Sequence, residues 1–333
     1  MRLRPGAAVD LTVPGSAANL GPAFDSMGLA LGILDSYRAV VRTQPGLRVD
    51  LGSNSPGVPG DERHLVVATM HRAFDELGVE RPAGLELVCR NTIRMGRGMG
   101  SSAAAIVAGV ALADALCREE AQEGAAEGAS VPVDLTFVND LSGALEGHPD
   151  NSSASVFGGA TLSYADETGE GLPRVHTTRL ALHPHIEPVV FVPASQLSTR
   201  TARAALPPHI AHGDAARNSA RAALLVHALT SDPDALLPAT REWLHQEQRR
   251  PAYPQAMALV DALRAQGHAA VVSGAGPSVL VLTTSAEAVT TPPEAGETWH
   301  ALRPGVPSTG VDVVRATLGT SLGERTVGPP DDL

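Results

Sequence analysis

The 333-residue chain contains no lysine; all 25 of its basic side chains are arginine. Codon usage in a GC-rich gene accounts for such an absence, but the chemical consequence is the same whatever the cause. No Schiff-base lysine exists, so pyridoxal-phosphate enzymes and lysine-dependent aldolases are excluded. A Walker A nucleotide site is excluded as well, because its phosphate-binding lysine is missing. Any phosphate site here has to rely on backbone N–H groups, helix dipoles, arginine and metal. Aromatic residues make up only 3 %, so the core must be Ala, Val and Leu, within a hydrophobic content of 43 %. Two cysteines, Cys89 and Cys117, make neither a disulfide framework nor a zinc site and suit a reducing cytoplasm. No apolar run reaches about 18 residues, so no membrane partner is expected. Met1–Asp10 carries Arg2 and Arg4 without an apolar core before Pro14, so no secretory leader is expected. The formal charge is −11 and no run of about five basic residues occurs. Nucleic acid is therefore not an expected partner.

What is present reads as alternating strands and helices without an internal repeat, an α+β protein. Strands are predicted at Ala8–Val13, Tyr37–Arg42, Leu47–Leu51, Leu85–Cys89, Gly158–Tyr164, Pro188–Val192, Ala269–Ser273 and Ser278–Thr283. Helices are predicted at Glu62–Leu77, capped by Asp61, and at Ser101–Leu116, Asp134–Glu146, Asp214–Thr230 and Asp234–Gln246. Arg118–Pro132 is rich in Glu, Gly and Ala and reads as an exposed insertion. A composition dip near Glu167–Gly171 marks a candidate domain boundary.

Four segments carry chemistry. Gly96–Gly100 followed by Ser101-Ser102-Ala103 is a glycine-rich turn running straight into a helix. Glycines allow a tight turn with exposed N–H groups, and the helix adds its positive end, which makes an anion cradle. A plain tight turn with a serine cap would give the same pattern. So would a shortened dinucleotide fingerprint, Gly98-x-Gly100-x-x-Ala103. That fingerprint needs an acidic strand end roughly 20 residues on, where this chain has its Glu/Gly/Ala insertion. The second segment, Val13–Leu31, places Asn19 and Asp25 in one glycine-bearing loop, an amide and a carboxylate suited to a hydroxyl and an ammonium. An ordinary Asx turn would also use them. The third, Glu146–Asn151, packs four polar side chains into six residues, with Asp134 and Asp140 upstream. His148 has no companion at zinc-ligand spacing. The fourth, Ser273-Gly274-Ala275-Gly276-Pro277-Ser278, is a glycine-rich turn between two strands.

Together these segments resemble the GHMP kinases. The three motifs of that family stand in order as Pro14–Asp25, Arg97–Ala103 and Ser273–Ser278. The segments Gly147–Asn151 and Leu244-His245-Gln246…Arg249 resemble the branch that acts on L-homoserine. The similarity covers about residues 8–318. It implies a ribosomal-S5-domain-2-like N-terminal domain over 1–165, a ferredoxin-like C-terminal domain over 166–320, and a frayed tail over 321–333. It also implies ATP and Mg2+, a place in threonine biosynthesis, and a fold that is often homodimeric. Arg97, Gly98, Met99, Gly100, Ser101, Ser102 and Ala103 would form the phosphate loop, with Ser102 facing magnesium. Asn19, Asp25, His148, Asp150, Asn151, Arg203 and Arg249 would form the amino-acid pocket, and Asn19, Asp25, Ser102 and Arg249 would stand nearest the chemistry. The acidic magnesium ligand of the family is a glutamate on the helix before the His-x-Asp-Asn segment. Ungapped counting gives Asp140 and the nearest glutamate is Glu146, so both stay open. The chain departs from the family at Gly15, Ser16, Ala17 and Ala23, and Glu247 and Gln248 replace Pro and Tyr ahead of Arg249. Two other readings remain: a relative acting on a different small hydroxylated amino acid, and a nucleotide-binding pseudo-kinase. An intact Gly-Ser loop and both arginines speak against the latter.

Overall fold

The computed structural model describes residues 3–52, 57–119, 126–166, 171–290, 299–317 and 322. In chain order the elements are β1 (Ala8–Ala18), β2 (Met27–Val41), β3 (Gly46–Asp50), α1 (Leu65–Glu76), β4 (Gly84–Arg90), α2 (Ser101–Glu119), α3 (Leu135–Glu146), α4 (Asp150–Phe157), β5 (Ala160–Ala165) and β6 (Val175–Leu180). They continue as β7 (Glu187–Pro193), α5 (Thr199–Ala204), α6 (His212–Thr230), α7 (Leu236–Ala239), α8 (Gln246–Arg249), α9 (Pro254–Ala265), β8 (Ala269–Val272), β9 (Val279–Thr283), β10 (Trp299–Leu302) and β11 (Asp312–Arg315).

A seven-stranded sheet runs β11-β1-β2-β4-β3, with β5 on β2 and β6 on β5. Every pairing is antiparallel except β3 with β4. A second sheet of four antiparallel strands runs β10-β7-β9-β8. Numbered within that sheet the order is 4-1-3-2, the ferredoxin-like arrangement. Two strands beyond residue 165, β6 and β11, belong to the first sheet, so its two ends of chain straddle the sequence-based boundary.

The four-stranded sheet explains its own sequence. Val190, Val192, Val271, Leu280 and Leu282 face one apolar cluster, shared with the first domain. Their neighbours Val189, Phe191, Val272, Val279 and Val281 face another, built with α9. Alternate side chains point to opposite faces, so a sheet covered on both sides needs unbroken apolar runs such as Val189–Val192. The scarcity of aromatics is met by close helix packing. In α2, a Cβ at Gly109 would collide with Thr69 Oγ1 and come within 2.6 Å of Val66 O in α1. The stretch Ser101–Arg118 is long and apolar enough to cross a membrane, but 72 % of it is buried inside the domain, as a core helix would be.

Several expected boundaries shift for identifiable reasons. Asp61 does not cap α1: its carboxylate accepts from Arg63 N at 2.9 Å and pairs with the Arg63 guanidinium. The helix starts three residues later than expected, at Leu65. Asp134 is a true N-cap, accepting from Thr136 N and Phe137 N at 3.1 Å. The helix expected over Asp234–Gln246 breaks after α7, where the buried Glu242 carboxylate accepts from the N–H groups of Leu244, His245 and Gln246 at 2.6–2.9 Å. Residues 120–125 of the expected insertion, 167–170 of the expected boundary and most of the expected tail lie outside the described residues.

Asp35, in β2, is 2 % exposed. Its Oδ1 accepts from Thr92 N at 2.7 Å and Ile93 N at 2.9 Å, and Tyr37 Oη donates to Oδ2 at 3.1 Å. Burial outweighs these bonds and pushes its pKa from an ordinary 3.8 to about 6. Because the folded value lies above the unfolded one, the stability contributed by this group is full below about pH 4 and is lost as pH rises through about 6. Asp35→Asn is therefore expected to raise the melting temperature at pH 8 by roughly 2–6 °C and to have little effect near pH 4. Equal shifts at the two pH values would show that the carboxylate charge is not what costs stability.

Candidate active site

The glycine-rich turn between β4 and α2 has Gly96, Gly98 and Gly100 at φ of 67°, 72° and 70°. Its carbonyls are tied to the rest of the protein. Gly96 O accepts from Leu197 N at 2.8 Å, Arg97 O from Ser278 N at 3.3 Å, Gly98 O from Ser273 Oγ at 2.6 Å, and Met99 O from Ser16 N at 3.1 Å. A Cβ at Gly98 would strike Ser273 O and the Gly276 backbone, and one at Gly100 would strike Ser16 Oγ, with Ser16 N and O at 3.0 Å. The ladder between β1 and β2 is irregular at Pro14/Gly15, which is where β1 receives the turn. The Arg97 side chain is turned toward β7. Its Nε and Nη2 donate to Pro193 O at 2.9 Å and Ala194 O at 2.8 Å, so the side chain ties the turn to the end of β7.

The loop between β1 and β2 holds three non-glycine residues with positive φ, Asn19 at 69°, Leu20 at 45° and Asp25 at 55°. Such conformations persist only where surrounding contacts over-determine them. Asn19 is 4 % exposed; its Oδ1 accepts from Asp25 N and its Nδ2 donates to Gly274 O, both at 3.0 Å. From the C-terminal domain, Asn218 Nδ2 donates to Pro22 O at 2.8 Å and His245 Nε2 to Gly21 O at 2.9 Å. Burial lowers the pKa of His245, so it is the neutral ring that donates. The Asn19 side chain thus organises the loop and the Asp25 backbone.

At the far side of the cleft, Arg203 from α5 grips the Asp25 carboxylate at 2.6 and 3.1 Å. Two members of the expected amino-acid pocket are partners of each other here. Arg249 is 2 % exposed and its Nε donates to Ala202 O at 3.1 Å. Burial first, and the charge of Arg203 with it, lowers its pKa, as expected of a cation short of an anion.

The third wall comes from the α3–α4 junction, where Gly147 at φ 85° ends α3 and Asp150 opens α4. Ser102 Oγ donates to Glu146 Oε2 at 3.3 Å. Burial, above all, raises the Glu146 pKa. Asp140 is directed elsewhere: its carboxylate accepts from Val175 N at 2.7 Å, at the start of β6. Asp150, 1 % exposed, pairs with His148 Nδ1 at 2.6 Å. Burial alone would lower the His148 pKa, but this bond and the Asp150 charge outweigh it and the pKa is raised. Asn151 Oδ1 accepts from Ser16 Oγ at 2.9 Å, linking this wall to the strand under the glycine turn.

One cleft is therefore lined by Asn19, Asp25, Gly98, Gly100, Ser101, Ser102, Glu146, His148, Asp150, Asn151, Arg203 and Arg249. Sequence reasoning gave no role to Phe24, which also lines it, nor to Ser16, Ser273, Asn218 and Glu242, which brace it. Phe24 stood inside a quoted motif and is one of only five phenylalanines. Ser16 and Ser273 also stood inside quoted motifs, whereas Asn218 and Glu242 are common polar types that nothing in the local pattern distinguishes.

Residues 64–159 match the GHMP kinases N terminal domain and residues 222–296 the GHMP kinases C terminal domain. A homoserine kinase from Streptomyces avermitilis is 47 % identical over 310 residues, 92 % of this chain and 96 % of that protein. One from Mycolicibacterium vanbaalenii is 45 % identical over 286 residues, 86 % of this chain and 88 % of that protein. Among solved structures, a homoserine kinase from Cytophaga hutchinsonii superposes with a TM-score of 0.75 at 22 % identity, covering 92 % of this chain and 97 % of that one. A mevalonate diphosphate decarboxylase from Staphylococcus aureus gives 0.60 at 15 % identity, over 92 % and 98 %. Likeness at such identities shows the shared fold alone.

Proposed function

The chain belongs to the GHMP kinase family, among its homoserine kinases, and we propose that it moves the γ-phosphate of ATP to the hydroxyl of L-homoserine. The product is O-phospho-L-homoserine, an intermediate for threonine synthesis in the cytoplasm. The observation that carries this reading is the meeting in one cleft of a glycine-serine turn and an amino-acid-sized charge pattern. That pattern comprises the Asp25 carboxylate, its partner Arg203, and the buried Arg249.

The carbonyl side of the turn is held by protein, which leaves the N–H groups at the start of α2 and the positive end of that 19-residue helix for the ATP phosphates. Ser102 and Glu146 would hold magnesium: a hydroxyl and a buried carboxylate are hard oxygen donors, and burial keeps the Glu146 pKa raised despite the charges of His148 and Arg203. When bound, that ion supplies neutralisation of the phosphate oxygens. Arg249 binds the substrate carboxylate, a match for the planar guanidinium. Asp25 binds the ammonium. Asn19 and the His148–Asp150 pair keep that wall in place, so that the hydroxyl lies toward the turn. Transfer through a loose transition state is mainly positioning and charge neutralisation, so no strong base is needed.

The test is ATP consumption with homoserine, threonine, serine, mevalonate and galactose. Homoserine is expected to give the highest kcat/KM, at least about tenfold above the others, which corresponds to roughly 1.4 kcal/mol. A sugar or mevalonate leading by that margin would refute the assignment.

A further inference from the structure

Phe24 occupies an unusual environment for an aromatic side chain in this protein. It is half-buried and belongs to none of the apolar core clusters, in a chain with five phenylalanines. Three polar groups use its ring instead. The Arg249 guanidinium lies 5.2 Å from the ring centroid, that of Arg203 lies 5.6 Å from it, and the His245 ring packs at 5.1 Å with a 31° tilt. Both arginines therefore meet one π-system. Two like charges brought this near each other repel, and burial adds a desolvation cost for Arg249. The negative face of an aromatic ring offsets both effects, and a leucine of similar bulk would not. Asp25, the next residue, holds only Arg203. Arg249 has Ala202 O at Nε and the ring face beneath it.

We propose that Phe24 is a positioning residue: its ring is the platform that keeps Arg203 and Arg249 together in a geometry ready for one substrate carboxylate. This rests on the reading of the cleft as an amino-acid site. It also assigns a function to the aromatic that precedes Asp25, which a purely steric role would not require. Tyrosine keeps the quadrupole and the shape; leucine keeps only approximate volume. Graded fluorination of the ring weakens the negative face at nearly constant shape.

The experiment compares Phe24→Leu, Phe24→Tyr and a series with mono-, di- and trifluorophenylalanine at position 24. Steady-state kinetics are taken for both substrates. Loss of two cation–π contacts is expected to raise the homoserine KM by about tenfold or more in Phe24→Leu. The ATP KM should stay within about twofold, and Phe24→Tyr should stay near the wild type. The logarithm of the homoserine KM should rise steadily with the number of fluorines. A flat fluorine series overturns the proposal, as does a rise of both KM values in step, or equal impairment in the leucine and tyrosine proteins. The fluorine series answers the question even where leucine prevents folding. Absence of homoserine turnover in the wild type would instead defeat the functional reading, so the two failures are told apart.

Discussion

Gly100→Val is expected to abolish turnover, with kcat/KM falling by more than about 10³, while Gly96→Ala leaves most activity. Both glycines have positive φ, 70° and 67°, so any side chain carries a strain of roughly 1–2 kcal/mol. They differ in what surrounds them. At Gly96 the nearest atom to a Cβ is Gln196 Cβ at 3.5 Å, an ordinary contact. At Gly100 a Cβ meets Ser16 Oγ and lies 3.0 Å from Ser16 N and O. Ser16 cannot retreat without consequence, since its N–H holds Met99 O and its Oγ holds Asn151. Valine at 100 therefore shifts the start of α2 and the amino-acid wall together, and binding of both substrates should fail. Titration with a non-hydrolysable ATP analogue, alongside circular dichroism to establish folding, separates a lost site from a lost fold. Near-normal turnover in a folded Gly100→Val protein would reduce the glycines to a turn.

The contrast shows which features a sequence can carry. The tight turn at Gly96–Gly100 was legible because its backbone conformations are ones that only glycine adopts freely. Asp134 was legible as a cap because capping is a local bond, two or three residues long. The broken helix after α7 was not, because its cause is the buried Glu242 carboxylate drawing three N–H groups out of the ladder. Nothing in a helical pattern announces that a carboxylate will be buried. α4 was not predicted either: its buried residues are mostly small and polar, Asp150, Ser152, Ser153, Ala154 and Ser155 with Val156, and it packs on β1 and β2 without an apolar periodicity. The metal-ligand ambiguity between Asp140 and Glu146 was beyond spacing alone. Both lie on α3, and only the register of that helix against β6 sends Asp140 to Val175 N and leaves Glu146 beside Ser102. The pairing of Asp25 with Arg203, 178 residues apart, joins two members of the expected pocket whose direct contact no local pattern shows.

That pairing divides the labour between the arginines, and Arg249→Leu is expected to be far more damaging than Arg203→Leu. Arg203 already has a carboxylate partner, at 2.6 Å. Removing it weakens the hold on the substrate carboxylate but frees Asp25 for the ammonium, so the two effects partly cancel and a loss of about tenfold or less is expected. Arg249 is buried and without a carboxylate partner among the described residues. Truncating one member of a buried charge pair costs about 2–5 kcal/mol, so kcat/KM for homoserine should fall by roughly 30- to 5,000-fold. The loss should appear in KM, because the carboxylate is held alike in ground state and transition state. Stability should move the other way. Arg249 is a buried cation whose pKa burial already lowers, and replacing such a charge with an apolar group is often neutral or stabilising. Unliganded Arg249→Leu is thus expected to melt no lower than the wild type. Asp25→Asn should likewise act mainly on homoserine KM, since the partner it loses is a charge on the substrate. Steady-state kinetics of the three variants across pH, with melting curves in the absence of substrate, test this division. A lower melting temperature with unchanged KM would make Arg249 a structural residue. A collapse of kcat in Asp25→Asn at constant KM, together with loss of the acidic limb of the pH profile, would make Asp25 a base and overturn the view of the cleft as a site that works by positioning.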